Sequence, residues 1–242
     1  MGIIISTEYE KRFIKTIKSL TGRYGIRDVW EHFIRITAYT LANQLTPLYS
    51  QVREDMYLDI IAKHTKEETE KFADLLAITM QALSENPRQD FLGGILMKLQ
   101  INNKGTAQIL TPYHIAEMMS CMTLENAIDV LKTKNVLTVS DPCVGCGCFG
   151  IASANVFSDN YEKEYFDGRW KNHFCFYGQD IEERAVMTAF IQFTLLGIAG
   201  VFKVGNSLSK PMTEEDDIRM SDYWVTPRYF GLTEERPLKK IS

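Results

Sequence analysis

An α/β fold, with a parallel sheet preceded by an all-α region, is the fold class that this sequence predicts. Residues 1–105 carry apolar side chains at three- and four-residue spacing between helix-capping residues, as amphipathic helices do. After residue 136, short apolar runs alternate with helical segments, and strands separated by helices favour a parallel, doubly wound sheet. The predicted domains are a helical N-terminal domain at 1–105 and an α/β domain at 106–242.

Composition indicates a soluble protein. The 242 residues are 45% hydrophobic, which is enough to bury a core. The longest apolar run, residues 195–202, is far shorter than the roughly 20 residues of a membrane span. The first residues lack the basic region and cleavage site of a signal peptide. Three of the five cysteines crowd into 143–148, which argues against a secreted disulfide framework. We therefore expect a cytoplasmic protein without membrane association.

Helices account for the first hundred residues. Two capping boxes, Thr-x-x-Glu at 7–10 and 65–68, each open an amphipathic helix. Asp28 is expected to cap a second helix that Pro47 stops, and the last helix of the region covers 90–99. These segments predict a helical bundle with a solvated charged face.

A polar turn at 102–105 ends this region. Thr111-Pro112 is then typical of an N-cap followed by proline at the first helical position, and opens a helix over 113–121. Thr123 is expected to cap the next helix.

Residues 136–150 are the stretch around which the second half is organised. A β-branched strand runs into Asp141-Pro142, and a loop with three glycines then leads into a helix of small residues. Such a junction lets a ligand approach the backbone closely at the carboxyl end of a parallel strand. The spacing Gly-x-Gly-x-x-Gly alone is a weak signal, so the rest of the chain must support it.

Two further strands follow, over 173–177 and 200–204, with a helix over 182–196 between them. Residues 222–226 are the candidate fourth strand. A complete doubly wound sheet needs two or three more strands. One edge must therefore be covered by the helical domain, covered by a partner or left exposed.

Four segments occur in a telling order: Thr111-Pro-Tyr-His-Ile-Ala-Glu-Met-Met119, Asp141-Pro-Cys-Val-Gly-Cys-Gly147, Gly178-Gln-Asp-Ile181 and Gly205-Asn-Ser-Leu208. Together they resemble the N6-adenine DNA methyltransferase family, above all the modification subunits of type I restriction-modification systems. The resemblance implies a Rossmann-like sheet that binds S-adenosylmethionine, incomplete relative to the family. It also implies transfer of a methyl group to a flipped-out adenine of DNA.

The resemblance also implies a cofactor site at the strand ends. Its residues are Thr111, Pro112, Asp141, Pro142, Gly145, Gly147, Asp180, Ile181 and Asn206. Asp180 would accept hydrogen bonds from the ribose diol, Ile181 would pack on the adenine face, and Asn206 would bond the adenine edge. The remaining residues would border the methionine end. As alternatives, Thr111 could serve only as a helix cap and Asn206 only to shape a turn.

The family's catalytic tetrapeptide, Asn/Asp-Pro-Pro-Tyr/Phe, does not occur in this sequence. The nearest segment is Thr226-Pro-Arg-Tyr229, which makes Thr226, Pro227 and Tyr229 the catalytic candidates. Threonine offers one hydroxyl where the family has an amide or carboxylate, and Arg228 adds a bulky cation. The alternative is that Pro227 ends a strand and Tyr229 packs in the core.

Two functions therefore compete. One is an S-adenosylmethionine-dependent DNA adenine-N6 methyltransferase, and the other is a catalytically inactive module that binds S-adenosylmethionine or a partner. The net charge of -4 provides no general basic footprint, so DNA contact is expected through a local patch or a separate specificity subunit. A homo- or hetero-oligomer could cover the open sheet edge.

A metal site is a third interpretation, because Cys143-x-x-Cys146-x-Cys148 has a spacing at which thiolates can surround one ion. Against it, the first two cysteines occupy the glycine loop, where the family has small residues. The four histidines form no ligand pair at helical spacing. We therefore expect no metal.

Overall fold

The structure is a computed structural model that describes residues 7–101 and 110–232. Its helices are α1 (Glu8–Ser19), α2 (Ile26–Asn43), α3 (Gln51–Ile61), α4 (Lys66–Glu85), α5 (Phe91–Leu99), α6 (Tyr113–Thr123), α7 (Ala127–Val130), α8 (Cys148–Tyr165) and α9 (Glu183–Leu196). Its strands are β1 (Leu137–Asp141), β2 (Phe174–Asp180), β3 (Gly200–Val204) and β4 (Tyr223–Val225). The turn expected at 102–105 lies outside the described residues. None of the described helices is long and apolar enough to cross a membrane.

Both capping boxes are confirmed, at α1 and at α4. Asp28 acts from inside α2 instead of preceding it, since the helix begins at Ile26 and the Asp28 carboxylate accepts the backbone N–H of Gly25 at 3.2 Å. Asp90 caps α5, accepting the N–H of Gly93 at 2.9 Å. These caps are local, which is why the sequence predicts them well.

Two cap predictions for the region after residue 110 are wrong. Pro112, with extended backbone, is the N-cap of α6, so Thr111 lies one residue before it. Thr123 belongs to the last turn of α6, where its hydroxyl donates to the Met119 carbonyl at 2.9 Å. A threonine hydroxyl that bonds back to the preceding turn is not available to cap the next helix, and Asn126 takes the N-cap position of α7.

The sheet has the order β1-β2-β3-β4. The first three strands are parallel, while β4 pairs antiparallel with β3, as in the Val201–Val225 partnership. The Rossmann-like α/β fold class is confirmed. The doubly wound arrangement is not, because α8 and α9 cover the same face: Phe174 packs on Phe157 of α8 and Phe202 on Phe193 of α9.

The helical region and the sheet share one apolar core, which runs from Phe13 in α1 through α9 to Trp224 in β4. Tyr39 of α2 stacks on Trp224 with ring centroids 5.9 Å apart, and Arg35 pairs with Glu183 of α9 at 2.7 Å. The boundary proposed between residues 105 and 106 stays a prediction, since both residues lie outside the described ranges.

The chain after β3 covers the second face of the sheet at β2, β3 and β4, where Cys175, Val201 and Tyr223 are buried. Buried Lys203 donates to Asp216 at 2.6 Å and to the Pro211 carbonyl at 3.2 Å, which holds this segment over the strands. Strand β1 lies at one edge of the sheet, because among the described residues it pairs only with β2. Its side chains Thr138 and Ser140 are exposed. The open edge expected from the sequence is therefore the outer side of β1 in this part of the chain.

Candidate functional site

The tip of β2 is bonded to the glycine loop that follows β1. The Asp180 carboxylate accepts the backbone N–H of Gly145 at 2.9 Å through Oδ2 and that of Glu182 at 3.0 Å through Oδ1. A backbone hydrogen bond joins the same loop and strand, because the Val144 N–H donates to the Gln179 carbonyl at 3.0 Å. Asp180 therefore fixes the loop while each of its oxygens keeps a lone pair for a further donor.

The two glycines of the loop have different structural roles. Gly147 has φ +92° and is the N-cap of α8, and a Cβ there would lie 3.1 Å from Cβ of Ala189 in α9. Gly145 has φ +52°, but a Cβ there would meet nothing nearer than Cδ2 of Leu110 at 3.9 Å. Gly147 thus permits close packing of helix and loop, whereas Gly145 leaves space at the sheet edge.

The segment before α6 reaches the same loop through Leu110. This side chain is buried beside Gly145, whereas Thr111 and Pro112 are exposed. No cap bond of the Thr111 side chain accompanies α6, whose N-cap is Pro112. Thr111 is consequently placed near the loop without the capping role that was its alternative explanation.

A second carboxylate, that of Asp141, ends the neighbouring strand. Its register partner on β2 is Gly178, and its Oδ1 accepts the N–H of Cys143 at 2.9 Å. Burial raises the pKa of Asp141, and the nearby charge of Asp180 raises it further. Pro142 follows as an exposed residue. Two carboxylates on adjacent strand ends suit a ligand that carries hydroxyl donors or positive charge.

The carboxyl end of β3 lies beside those of β1 and β2 and contributes the third part of the site. Gly205 N–H donates to the Asp180 carbonyl at 2.8 Å, which sets Asn206 beside the β2 tip. The side chain of Asn206 accepts the N–H of Leu208 at 2.9 Å, so it does shape the turn, as its alternative explanation held. Ile181 and Leu208 are 71% and 94% exposed, and they supply apolar surface where most strand-end residues are polar.

A buried glutamine behind the loop was not identified from the sequence. Gln192 of α9 donates to Asp90 at 2.7 Å and to the Cys146 carbonyl at 2.9 Å, and it accepts the Leu92 N–H at 3.1 Å. Burial raises the pKa of Asp90 to about 6. The only sequence signal was a polar residue on the apolar face of α9. Through it, the helical region supports the glycine loop.

The catalytic candidates lie elsewhere. Because β4 runs antiparallel to β3, its carboxyl end meets the beginning of β3, at the opposite end of the parallel strands from Asp180. Thr226 is fully buried there, accepting the Gly200 N–H and donating to the Ile198 carbonyl, both at 2.9 Å. Pro227 opens a short 3-10 turn and Tyr229 is 1% exposed. The structure does not bring Thr226, Pro227 or Tyr229 to the candidate site, and their arrangement matches the structural alternative.

The loop cysteines do not converge on an ion. Cys143 is exposed, whereas Cys146 and Cys148 are buried, and burial raises the pKa of both buried thiols. A metal ligand must be a thiolate, which this environment disfavours. Within residues 7–101 and 110–232, no group of three or more His, Cys, Asp or Glu side chains is arranged to hold a metal ion.

Comparisons with known proteins give one family and one structure. The family model described as N-6 DNA Methylase matches residues 90–240. Among solved structures, a putative class I S-adenosylmethionine-dependent methyltransferase from Listeria monocytogenes matches with 13% identity and a TM-score of 0.46. That match covers 87% of this chain, which spans 57% of the other chain. No curated protein matches this sequence.

Proposed function

Because the chain belongs to the N-6 DNA methylase family, we propose that it binds S-adenosylmethionine at the carboxyl ends of β1, β2 and β3 and serves in adenine-N6 methylation of DNA. The observation that carries this proposal is the bond between Asp180 and Gly145, which joins two strand ends into one cradle. Binding at strand ends is the rule for ligands of parallel α/β sheets.

The residues present fit the cofactor. Asp180 retains acceptor capacity for a ribose diol, and Asp141 places a second negative charge close to a cationic ligand. Gly145 leaves open space, and the N-terminal end of α8 provides backbone N–H groups for a carboxylate. The cofactor that family membership implies supplies an electrophilic methyl group on a sulfonium.

The cofactor roles that follow are specific. Thr111 and Pro112 would border the methionine end together with Asp141, Pro142, Gly145 and Gly147. Ile181 would lie on the adenine face, for which its 71% exposure makes it available, and Asn206 would use its amide nitrogen, since its oxygen already accepts backbone donors. Methyl transfer would then depend on holding the acceptor amine in line, with little need for an acid or base.

A second function is favoured by one observation. Thr226, Pro227 and Tyr229 lie at the far end of the sheet, so these residues cannot hold the target adenine at this edge. The second candidate is therefore a module that binds S-adenosylmethionine without methyl transfer of its own. In the first candidate, an adenine-binding surface and DNA recognition would come from another chain, such as a specificity subunit, docked in a hetero-oligomer at the β1 edge.

Binding and transfer can be tested separately. Isothermal titration with S-adenosylmethionine measures binding by the wild type and by Asp180→Ala, and labelled cofactor with mixed DNA measures transfer. Saturable binding lost in Asp180→Ala supports the proposed site. Binding without transfer to any DNA favours the second candidate, and an absence of binding at millimolar cofactor would contradict both.

A further inference from the structure

A pocket at the opposite end of the sheet has one cation, Arg228, in its wall and a second, Lys171, beside it. Its volume is about 340 Å³, and it lies between the C-terminal end of α9 and the turn after β4. Its lining residues are Thr194, Gly197, Ile198, Thr226, Pro227, Arg228 and Gly231. The segment singled out from the sequence as a catalytic candidate therefore forms one wall of a different site.

Lys171 brings a second positive charge to this pocket. Its ammonium donates to the Leu196 carbonyl at 2.6 Å, and a Cβ added at Gly197 would lie 3.4 Å from it. It also lies 5.5 Å from the centroid of the Trp170 ring. Arg228 bonds to the side chain of Asn172, the residue next to Lys171. In the described ranges, neither cation forms an ion pair with a carboxylate.

The C-terminal end of α9 explains the presence of one cation beside the pocket, but it does not explain two. The last carbonyls of α9 carry partial negative charge, which accounts for Lys171. Arg228 adds a charge that repels it: burial and the proximity of Arg228 both lower the pKa of Lys171. Two adjacent cations without a counter-charge cost free energy, and an anion between them would recover it.

Two orphaned polar atoms belong to lining residues of the same pocket. Nε of Arg228 and the hydroxyl of Thr194 are buried without a hydrogen-bond partner in the described structure. Buried polar groups are nearly always satisfied, so such a pair calls for an explanation. An oxyanion entering the pocket, with a small rotation of the two side chains, would give each an acceptor. A guanidinium fork matches phosphate geometry especially well.

We propose that Lys171, Arg228 and Thr194 form a binding site for a phosphate group, separate from the cofactor edge. The same chemistry fits the backbone phosphate of a nucleic acid and the phosphate of a small metabolite. The site is independent of S-adenosylmethionine, because it uses none of the strand-end residues at Asp141, Asp180 or Asn206.

The test uses the full chain without cofactor and two probes, inorganic phosphate and a duplex DNA oligonucleotide. The variants are Arg228→Gln and Lys171→Gln, with Lys134→Gln as the matched control, since Lys134 is exposed and its loss changes the net charge equally. We expect phosphate affinity to fall at least tenfold in both pocket variants and to be unchanged in the control. Circular dichroism verifies that each variant is folded.

DNA binding identifies the source of the phosphate. If it weakens in both pocket variants and its salt dependence drops by about one counterion for each charge removed, the ligand is a backbone phosphate. If only phosphate binding changes, the ligand is a small phosphate compound. Should a variant not fold, the Tm of the wild type is measured against phosphate concentration in the low millimolar range: a saturable rise reports the site, whereas the general stabilising effect of phosphate does not saturate. No saturable rise in Tm, or equal binding by all folded variants, would overturn the proposal.

Discussion

The carboxylate of Asp180 and the backbone N–H of Gly145 form a hydrogen bond of 2.9 Å that joins the tip of β2 to the loop after β1. The second oxygen of Asp180 accepts the N–H of Glu182, at the beginning of α9. One side chain thus sets the positions of a loop, a strand end and a helix start, all of which border the candidate cofactor site.

Replacing Asp180 with alanine should weaken cofactor binding. A hydrogen bond to a charged group contributes about 1.5–3 kcal/mol, and each 1.4 kcal/mol is about tenfold in affinity. We expect at least a tenfold rise in Kd for S-adenosylmethionine by titration calorimetry. The Kd of Asp180→Asn should lie between those of the wild type and Asp180→Ala, because its amide oxygen can accept only part of the present bonds. Asp217→Ala, at an exposed surface pair, is the control, and a matching loss there would refute the assignment.

Alanine substitution at the two loop glycines should have opposite effects: Gly147→Ala should mainly reduce stability, and Gly145→Ala should mainly reduce cofactor affinity. Gly147→Ala introduces a Cβ 3.1 Å from Ala189 at φ +92°, so we expect a loss of stability of about 2 kcal/mol or more. Gly145→Ala meets only Leu110 at 3.9 Å, so its cost is about 1 kcal/mol, while its methyl group reduces the space at the cofactor edge. Urea unfolding and cofactor titration of both variants measure the contrast. Equal stability losses would contradict the packing role of Gly147.

The free energy of unfolding should change with pH because Asp90 titrates. Burial raises its folded-state pKa to about 6, above the value of about 4 in an unfolded chain. The folded state therefore holds the proton more tightly, and this group's contribution to stability falls as pH rises from about 4 to about 6, then stays level. Asp90→Asn keeps an oxygen for Gln192 and Gly93 but has no such titration. Its stability relative to the wild type should rise over that window, as measured by urea unfolding, and a flat difference would exclude the raised pKa.

Thr226→Val should destabilise the protein without changing cofactor affinity. The hydroxyl of Thr226 bonds to Gly200 and Ile198 in a fully buried position, and leaving those groups unpaired costs about 1–3 kcal/mol each. Chemical denaturation measures the first effect and titration calorimetry the second. Ser209→Ala, at an exposed position, serves as the control for loss of a hydroxyl. A stable variant with impaired cofactor binding would reinstate Thr226 as a site residue.

The elements that the sequence predicts well are those fixed by neighbouring residues. The capping boxes at Thr7 and Thr65 and the strand that ends at Asp141 depend on side chains within a few positions of each other. The proximity of Asp180 to the glycine loop was also predictable, because carboxyl ends of parallel strands meet at one edge.

The direction of β4 could not be predicted from local sequence. An antiparallel strand and a parallel one have the same apolar pattern, and Tyr223–Val225 is only three residues long. Its direction depends on contacts with distant residues, such as the bond of Thr226 to Gly200. For the same reason Gln192 was missed, since its partners Asp90 and Cys146 are far away in the chain.

The contact between the helical region and β4 also bears on the order of folding. Arg53 of α3 donates to the Tyr223 carbonyl at 2.7 Å across a separation of 170 residues, and its guanidinium lies 4.6 Å from the ring centroid of Trp224. Contacts of such long range form slowly, because the loop entropy is lost before the contact is gained. During synthesis, the helices emerge first and the outer edge of β3 stays unpaired until residues 223–225 have left the ribosome. The pairing of β3 with β4 therefore depends on a segment that becomes available only after the helices it packs against.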